Sequence, residues 1–127
     1  MDCVFTDNPQ LIRWARGRGI STAPAAQILG PGYHELEFDY LFSIGNLKIL
    51  PEAVIAAPRA EAVNFHDGPL PGMAGLNVPN WAILEGRNAH AITWHTMTAA
   101  VDRGDILAQI EFPIDPSDTA LALNAKC

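Results

Sequence analysis

The chain has 127 residues, enough for one domain with a sizeable core but not for two. Its apolar content of 49% is that of an ordinary globular protein, while 14 acidic against 8 basic residues leave a net charge of −6, which disfavours a nucleic-acid binder with its basic stripe. Cys3 and Cys127 offer neither a disulfide framework nor zinc-ligand spacing, the start has no signal-peptide pattern and no apolar run reaches transmembrane length, so a soluble, cytoplasmic protein is expected, with no membrane partner.

In chain order, Cys3-Val4-Phe5-Thr6 reads as a short strand. Asp7-Asn8-Pro9 opens a helix, with Asp7 or Asn8 as its cap and Leu11, Ile12, Ala15 and Trp14 as its apolar stripe. Gly17 and Gly19 end it, and Ile20 to Ala23 forms a weak strand. Residues 24 to 37 are irregular, broken by Gly30-Pro31-Gly32, and His34 is read there as a surface residue. Phe38 to Ile44 is apolar on both faces, as a buried parallel strand would be. Residues 45 to 50 make a loop, and Pro51 starts a short helix to about Ala57.

The strand Glu61 to His66 follows. Strand, helix and strand within about thirty residues form a βαβ unit, which implies a parallel pair. Ala62, Asn64 and His66 share one face of the new strand, and Val63 and Phe65 share the other. Asp67-Gly68-Pro69 stops it, so an amide and an imidazole project side by side at its C-terminal end. In open α/β sheets ligands bind at that edge. Side chains there also serve the backbone of a following turn, and both roles are open to Asn64 and His66.

Residues 67 to 76, rich in glycine and proline, form a loop over that strand end. Asn77 or Val78 then caps a helix with Trp81, Ala82 and Leu84 inward and Gly86 just past its end. Ala89 to Met97 is a strand with Ile92 and Trp94 on one face and Thr93 and His95 on the other. A loop over 98–104 leads to a strand from Asp105 to Phe112, and Asp115-Pro116-Ser117-Asp118 opens a last helix.

A catalytic histidine needs a group to orient it, and Asp102 is the best candidate for His66. An aspartate in such a glycine-containing turn also has an ordinary structural use. No dinucleotide or phosphate-loop glycine pattern is present, and Ser43 lacks a nucleophile elbow. His90 and His95 form no metal pair with His66. His95 reads as a satisfied core or edge histidine, and Trp81 and Trp94 read as core.

Asn64-Phe65-His66, Pro69-Leu70-Pro71 with Gly75, Trp81-Ala82-Ile83, and Val101-Asp102-Arg103-Gly104-Asp105-Ile106-Leu107 together resemble the formyltetrahydrofolate-dependent formyltransferases, with Lys48-Ile49-Leu50-Pro51 fitting ahead of them. The resemblance runs from about residue 38 to 126. It implies an α/β, Rossmann-like fold with a mostly parallel sheet flanked by helices. It also implies a catalytic trio of Asn64, His66 and Asp102, and a folate pterin cradled by backbone at Lys48, Ile49 and Leu50 and at Thr98, Ala99, Ala100 and Val101. The expected activity is transfer of a formyl group from formyltetrahydrofolate, without a metal, to a primary amine. Asp67-Gly68-Pro69 after the histidine, with Thr93-Trp94-His95-Thr96-Met97, is most similar to the branch acting on amino sugars or on amino acids held by peptide-synthetase carriers. A carrier protein or synthetase module is then a conceivable partner. Methionyl-tRNA formylation, formyltetrahydrofolate hydrolysis and a non-catalytic folate-binding remnant are the alternatives. The family's first strand and helix have no counterpart in this reading, so a partial catalytic domain is expected.

Overall fold

The computed structural model describes residues 2–30 and 37–127. His34 lies outside the described residues. The first elements are β1 (Cys3–Phe5), α1 (Pro9–Arg16) and β2 (Ser21–Ala23), with β1 and β2 paired in parallel. Asn8 caps α1, its side-chain oxygen accepting from the amides of Gln10 and Leu11. Only Ala15 of the expected stripe is fully buried. Leu11 and Trp14 stay exposed, and the Trp14 ring is instead covered by the Arg18 guanidinium at 4.5 Å.

A 3-10 turn at Ala25–Leu29 leads on to β3 (Tyr40–Ser43), α2 (Glu52–Ile55) and β4 (Glu61–His66). The expected parallel pair is present, with Ser43 beside Asn64. Then come α3 (Val78–Leu84), β5 (Ala89–Thr96), β6 (Ile106–Pro113) and α4 (Ala120–Lys126). The larger sheet has the order β3-β4-β5-β6, with β4-β5 and β5-β6 antiparallel.

Two expectations about burial are corrected. Tyr40, Phe42 and Ile44 are exposed: among the described residues β3 pairs with β4, and the core cluster beside it meets Leu41, on the other face of the strand. On α3, Trp81 and Leu84 point outward, while Val78, Pro79 and Ala82 are buried. Val78 and Ala82 stand four residues apart, one helical turn, and this stripe rather than the aromatic one meets α4.

The core is split. Ile28, Leu50 and Val54 pack with Phe5 and Leu41 beneath β3 and β4. Met73, Val78, Ala82, Ile114 and Leu123 join α3, α4 and the loop after β4. Leu123 is completely buried there. We predict that Leu123→Ala destabilises the fold by about 2–5 kcal/mol, the range for truncating a buried leucine. Chemical denaturation of the two chains measures the difference, and a loss well under 1 kcal/mol would contradict this packing.

Candidate functional site

The sheet register places the polar residues before any side chain is considered. Asn64 pairs with His95, and His66 pairs with Thr93, which in turn pairs with Gln109. These polar residues therefore stand in two rows across three strands, on the face that Asn64 and His66 share. A register shift at Trp94/His95 interrupts the β5-β6 ladder just where His95 joins the group.

His66 is buried, and its Nε2 lies 2.7 Å from the Met73 carbonyl. A carbonyl only accepts, so Nε2 carries the hydrogen and Nδ1 is the nitrogen left free. That Nδ1 faces Asp102 Oδ2 at 3.7 Å. His95 is arranged in the opposite sense. Its Nδ1 donates to the Thr96 carbonyl at 2.8 Å, and its Nε2 stands 3.2 Å from Asn64 Nδ2 and 3.5 Å from Asp102 Oδ1. A neutral His95 thus accepts one hydrogen of the Asn64 amide group. This fixes which end of that carboxamide is nitrogen and leaves its second N–H for another acceptor.

Asp102 closes the constellation. Its side chain is 8% exposed, and its two oxygens face two different imidazoles while Oδ2 also accepts from the Gly75 amide at 2.9 Å. The residue sits at φ +53°, in the left-handed region that aspartate tolerates better than most. Of the expected trio, His66 and Asp102 therefore meet, and Asn64 is joined to Asp102 through His95. The sequence pattern makes His95 a satisfied core or edge histidine; it is buried and satisfied, and it also touches Asn64 and Asp102. The signal available in the sequence was its alternation with Thr93 on the same face as the loop holding Asp102, but only the strand register sets it opposite Asn64.

A clamp of side chains holds the turn that follows His66. His90 Nε2 donates to the Asp67 carbonyl at 2.8 Å, Thr93 Oγ1 donates to the Gly68 carbonyl at 2.7 Å, and Gln109 Nε2 donates to the Leu70 carbonyl at 3.1 Å. Three successive parts of the turn are thereby tied to β5 and β6. Gly68 has no room for a side chain, since a Cβ there would lie 2.5 Å from Val78 and 3.1 Å from His66 Nε2. These clamp residues are not apparent from local motif spacing, because their partners lie 23 to 39 residues away.

The trio opens on a cavity of about 520 Å³. All of Lys48, Ile49 and Leu50 and all of Thr98, Ala99, Ala100 and Val101 line it, together with Asn64, His66, His95 and Asp102. Its wall is mainly apolar, as suits a flat aromatic ring. The Asn46 carboxamide spans Lys48, accepting from its N–H at 3.0 Å and donating to its carbonyl at 2.9 Å. The main-chain groups of Ile49 and Leu50 make no hydrogen bond among the described residues, so they rather than those of Lys48 are available to a ligand. Burial pushes the thiol of Cys127, also on the cavity wall, up to about 11, which keeps it protonated and poorly nucleophilic. Among the described residues no three His, Cys, Asp or Glu side chains are grouped as a metal site, and no helix is long and apolar enough to cross a membrane.

Two predictions follow from this geometry. A Cβ at Gly104 would fall 1.8 Å from the Thr96 carbonyl oxygen, so Gly104→Ala must displace the turn that carries Asp102. Ligand binding in the cavity, followed by calorimetry, should weaken strongly in Gly104→Ala, and native affinity would show that the turn is not so constrained. The second concerns His90, whose pKa burial lowers despite its bond to the Asp67 carbonyl. The folded state resists the proton that the unfolded chain takes up near pH 6.5, so this contribution is complete above that pH and is lost as pH falls toward the folded value. The thermal midpoint should drop between about pH 7 and pH 5, and less so in His90→Gln, which keeps a donor but does not titrate. Equal slopes in the two chains would dismiss His90 as the cause.

Comparison with known proteins agrees with the site. Residues 23–127 match the family described as Formyl transferase. Over 92 residues the chain is 34% identical to the bifunctional polymyxin resistance protein ArnA of Wigglesworthia glossinidia brevipalpis, which is 72% of this chain and 14% of that relative. The phosphoribosylglycinamide formyltransferase from Anaplasma phagocytophilum superposes with a TM-score of 0.84 at 26% identity, covering 98% of this chain and 64% of that one. WlaRD, a sugar 3N-formyl transferase solved in the presence of dTDP and 5-N-formyl-THF, superposes with a TM-score of 0.71 at 24% identity over 91% of this chain and 40% of that one, a likeness of fold. The chain thus spans less than two thirds of the length of each of these three proteins. With the family match across most of its length, this chain belongs to the formyl transferase family and has its Rossmann-like fold.

Proposed function

We propose that the chain transfers a formyl group from formyltetrahydrofolate to a primary amine. The observation that carries this reading is the meeting of Asp102 with His66 beside Asn64, inside the cavity lined by residues 48–50 and 98–101. Those two loops would hold the pterin through main-chain groups, with the formyl carbon turned toward Asn64.

The chemistry then runs through a tetrahedral intermediate. The amine nitrogen attacks the formyl carbon, and negative charge develops on the formyl oxygen. The second N–H of Asn64 and a protonated Nδ1 of His66 stabilise that charge. Because Nε2 of His66 is engaged by Met73, a proton on that ring must be held at Nδ1, the nitrogen facing Asp102. The attacking nitrogen loses its proton toward Asp102, the folate nitrogen leaves as its bond to the formyl carbon breaks, and a proton returns to it. His95 acts through Asn64 and Asp102, orienting both.

For the acceptor, an amino sugar or an amino acid on a carrier protein or synthetase module is the finer reading. It is supported by the Asp67-Gly68-Pro69 turn, by the similarity to ArnA and by the sugar acceptor named for WlaRD.

In an assay of formyl transfer to added amines, His66→Ala and Asp102→Asn should each lower kcat/KM by roughly 10²–10⁴-fold, the range for losing a positioned acid or base. Donor affinity should change far less, because the pterin would be held by the loops. Undiminished turnover in either variant would remove that residue from the mechanism. A chain that binds the folate but formylates no amine would be a folate-binding module.

A further inference from the structure

His66 has two acceptors competing for one ring hydrogen. Its Nε2 lies 2.7 Å from the Met73 carbonyl, and its Nδ1 lies 3.7 Å from Asp102 Oδ2. A neutral imidazole carries a single N–H, so the nearer acceptor holds it. The two distances, 3.7 and 2.7 Å, differ by 1.0 Å, so a displacement of that size in the Met73 carbonyl removes the advantage of Nε2. Two side chains outside the cavity lining keep that carbonyl in place. Thr93 is completely buried, and its Oγ1 uses its whole bonding capacity: it donates to the Gly68 carbonyl at 2.7 Å and accepts from the Leu70 amide at 3.3 Å and from Gln109 Nε2 at 2.8 Å. Gln109 also donates to the Leu70 carbonyl at 3.1 Å. Gly68 and Leu70 flank Pro69, whose carbonyl accepts from the Met73 amide at 2.9 Å. The contacts therefore run from β6 through Thr93 and the turn to Met73, and they end on the imidazole.

We propose that Thr93 and Gln109 are positioning residues that set the tautomer of His66, holding its hydrogen on Nε2 and leaving Nδ1 bare toward Asp102. The consequence for the reaction rests on the formyl-transfer reading above, whereas the tautomer itself does not. Gly68 and Leu70 are buried, so loss of either donor leaves a turn carbonyl unpaired, and a turn relieves that by moving. Met73 then moves with Pro69, and the ring hydrogen passes to Nδ1. There it points at the Asp102 carboxylate and occupies both the nitrogen and the oxygen that the transfer uses to move protons.

Proton–nitrogen correlation spectra of the imidazoles, recorded at about pH 8 where an ordinary histidine is neutral, distinguish the two tautomers. His66→Ala identifies the His66 signals by their loss. The unaltered 127-residue chain should show the Nε2–H form. Thr93→Val keeps the shape and removes the hydroxyl, and Gln109→Leu removes the second donor. Each should raise the Nδ1–H population roughly three- to tenfold, the equilibrium effect of one hydrogen bond, while Thr93→Ser should keep the original form. With formyltetrahydrofolate and an added amine, kcat should fall roughly 10–100-fold in Thr93→Val and return in Thr93→Ser, with KM for the folate unchanged. Where Thr93→Val fails to fold, Gln109→Leu decides, since residue 109 is exposed. An Nδ1–H ring in the unaltered chain, an unmoved tautomer in the folded variants, or Thr93→Ser behaving as Thr93→Val would overturn the proposal. So would a loss of thermal stability with no change of tautomer, which leaves the two residues a structural role alone. A tautomer that shifts as expected in a chain that formylates no amine would keep the positioning and remove the chemistry. Transfer with an unmoved tautomer would do the reverse.

Discussion

A single buried carboxylate ties the site together. Asp102 sits in a hairpin loop, far along the chain from His66, yet its two oxygens face His66 and His95 and also hold the Gly75 amide. Burying a carboxylate is costly unless its oxygens are engaged, and here every partner is a residue the site needs in a fixed place. The loop before α3, the end of β4 and the end of β5 are thereby brought to one point. The left-handed backbone at Asp102 and the tight approach of Gly104 to Thr96 are the local means of holding it there.

Around that point the molecule divides its labour. Among the described residues two apolar clusters form, one beside β3 and α2 and one between α3 and α4, and the cavity lies at the strand ends. Three polar residues of β5 and β6 stand outside the cavity lining. His90, Thr93 and Gln109 instead hold the carbonyls of the turn after His66, so the histidine is positioned from behind. Such indirect support matters because a misplacement of about 1 Å in a reacting group can cost a hundredfold in rate.

The electrostatic character of the site is set by the partners of its two imidazoles. Each histidine has one ring nitrogen committed to a main-chain carbonyl, His66 through Nε2 and His95 through Nδ1. The free nitrogens both turn to Asp102, so one carboxylate faces both rings. Asp67, also on the cavity wall, adds a second carboxylate there.

Much of the secondary structure was legible from local pattern. The cap at Asn8, the parallel pair β3-β4, the stop at Asp67-Gly68-Pro69 and the hairpin after β5 all follow from short-range stereochemistry, which the sequence carries residue by residue. Asn64, His66 and Asp102 could be singled out because their motifs are short and ordered along the chain. What the sequence could not determine was anything dependent on a neighbour in space. The outward turn of Trp81 and Leu84 was decided by where α4 packs, and the exposure of Tyr40 and Phe42 by the core cluster meeting the opposite face of β3, at Leu41. The entry of His95 into the site was decided by the β4-β5 register, since a strand's own alternation specifies its two faces but not which residue stands opposite on the next strand.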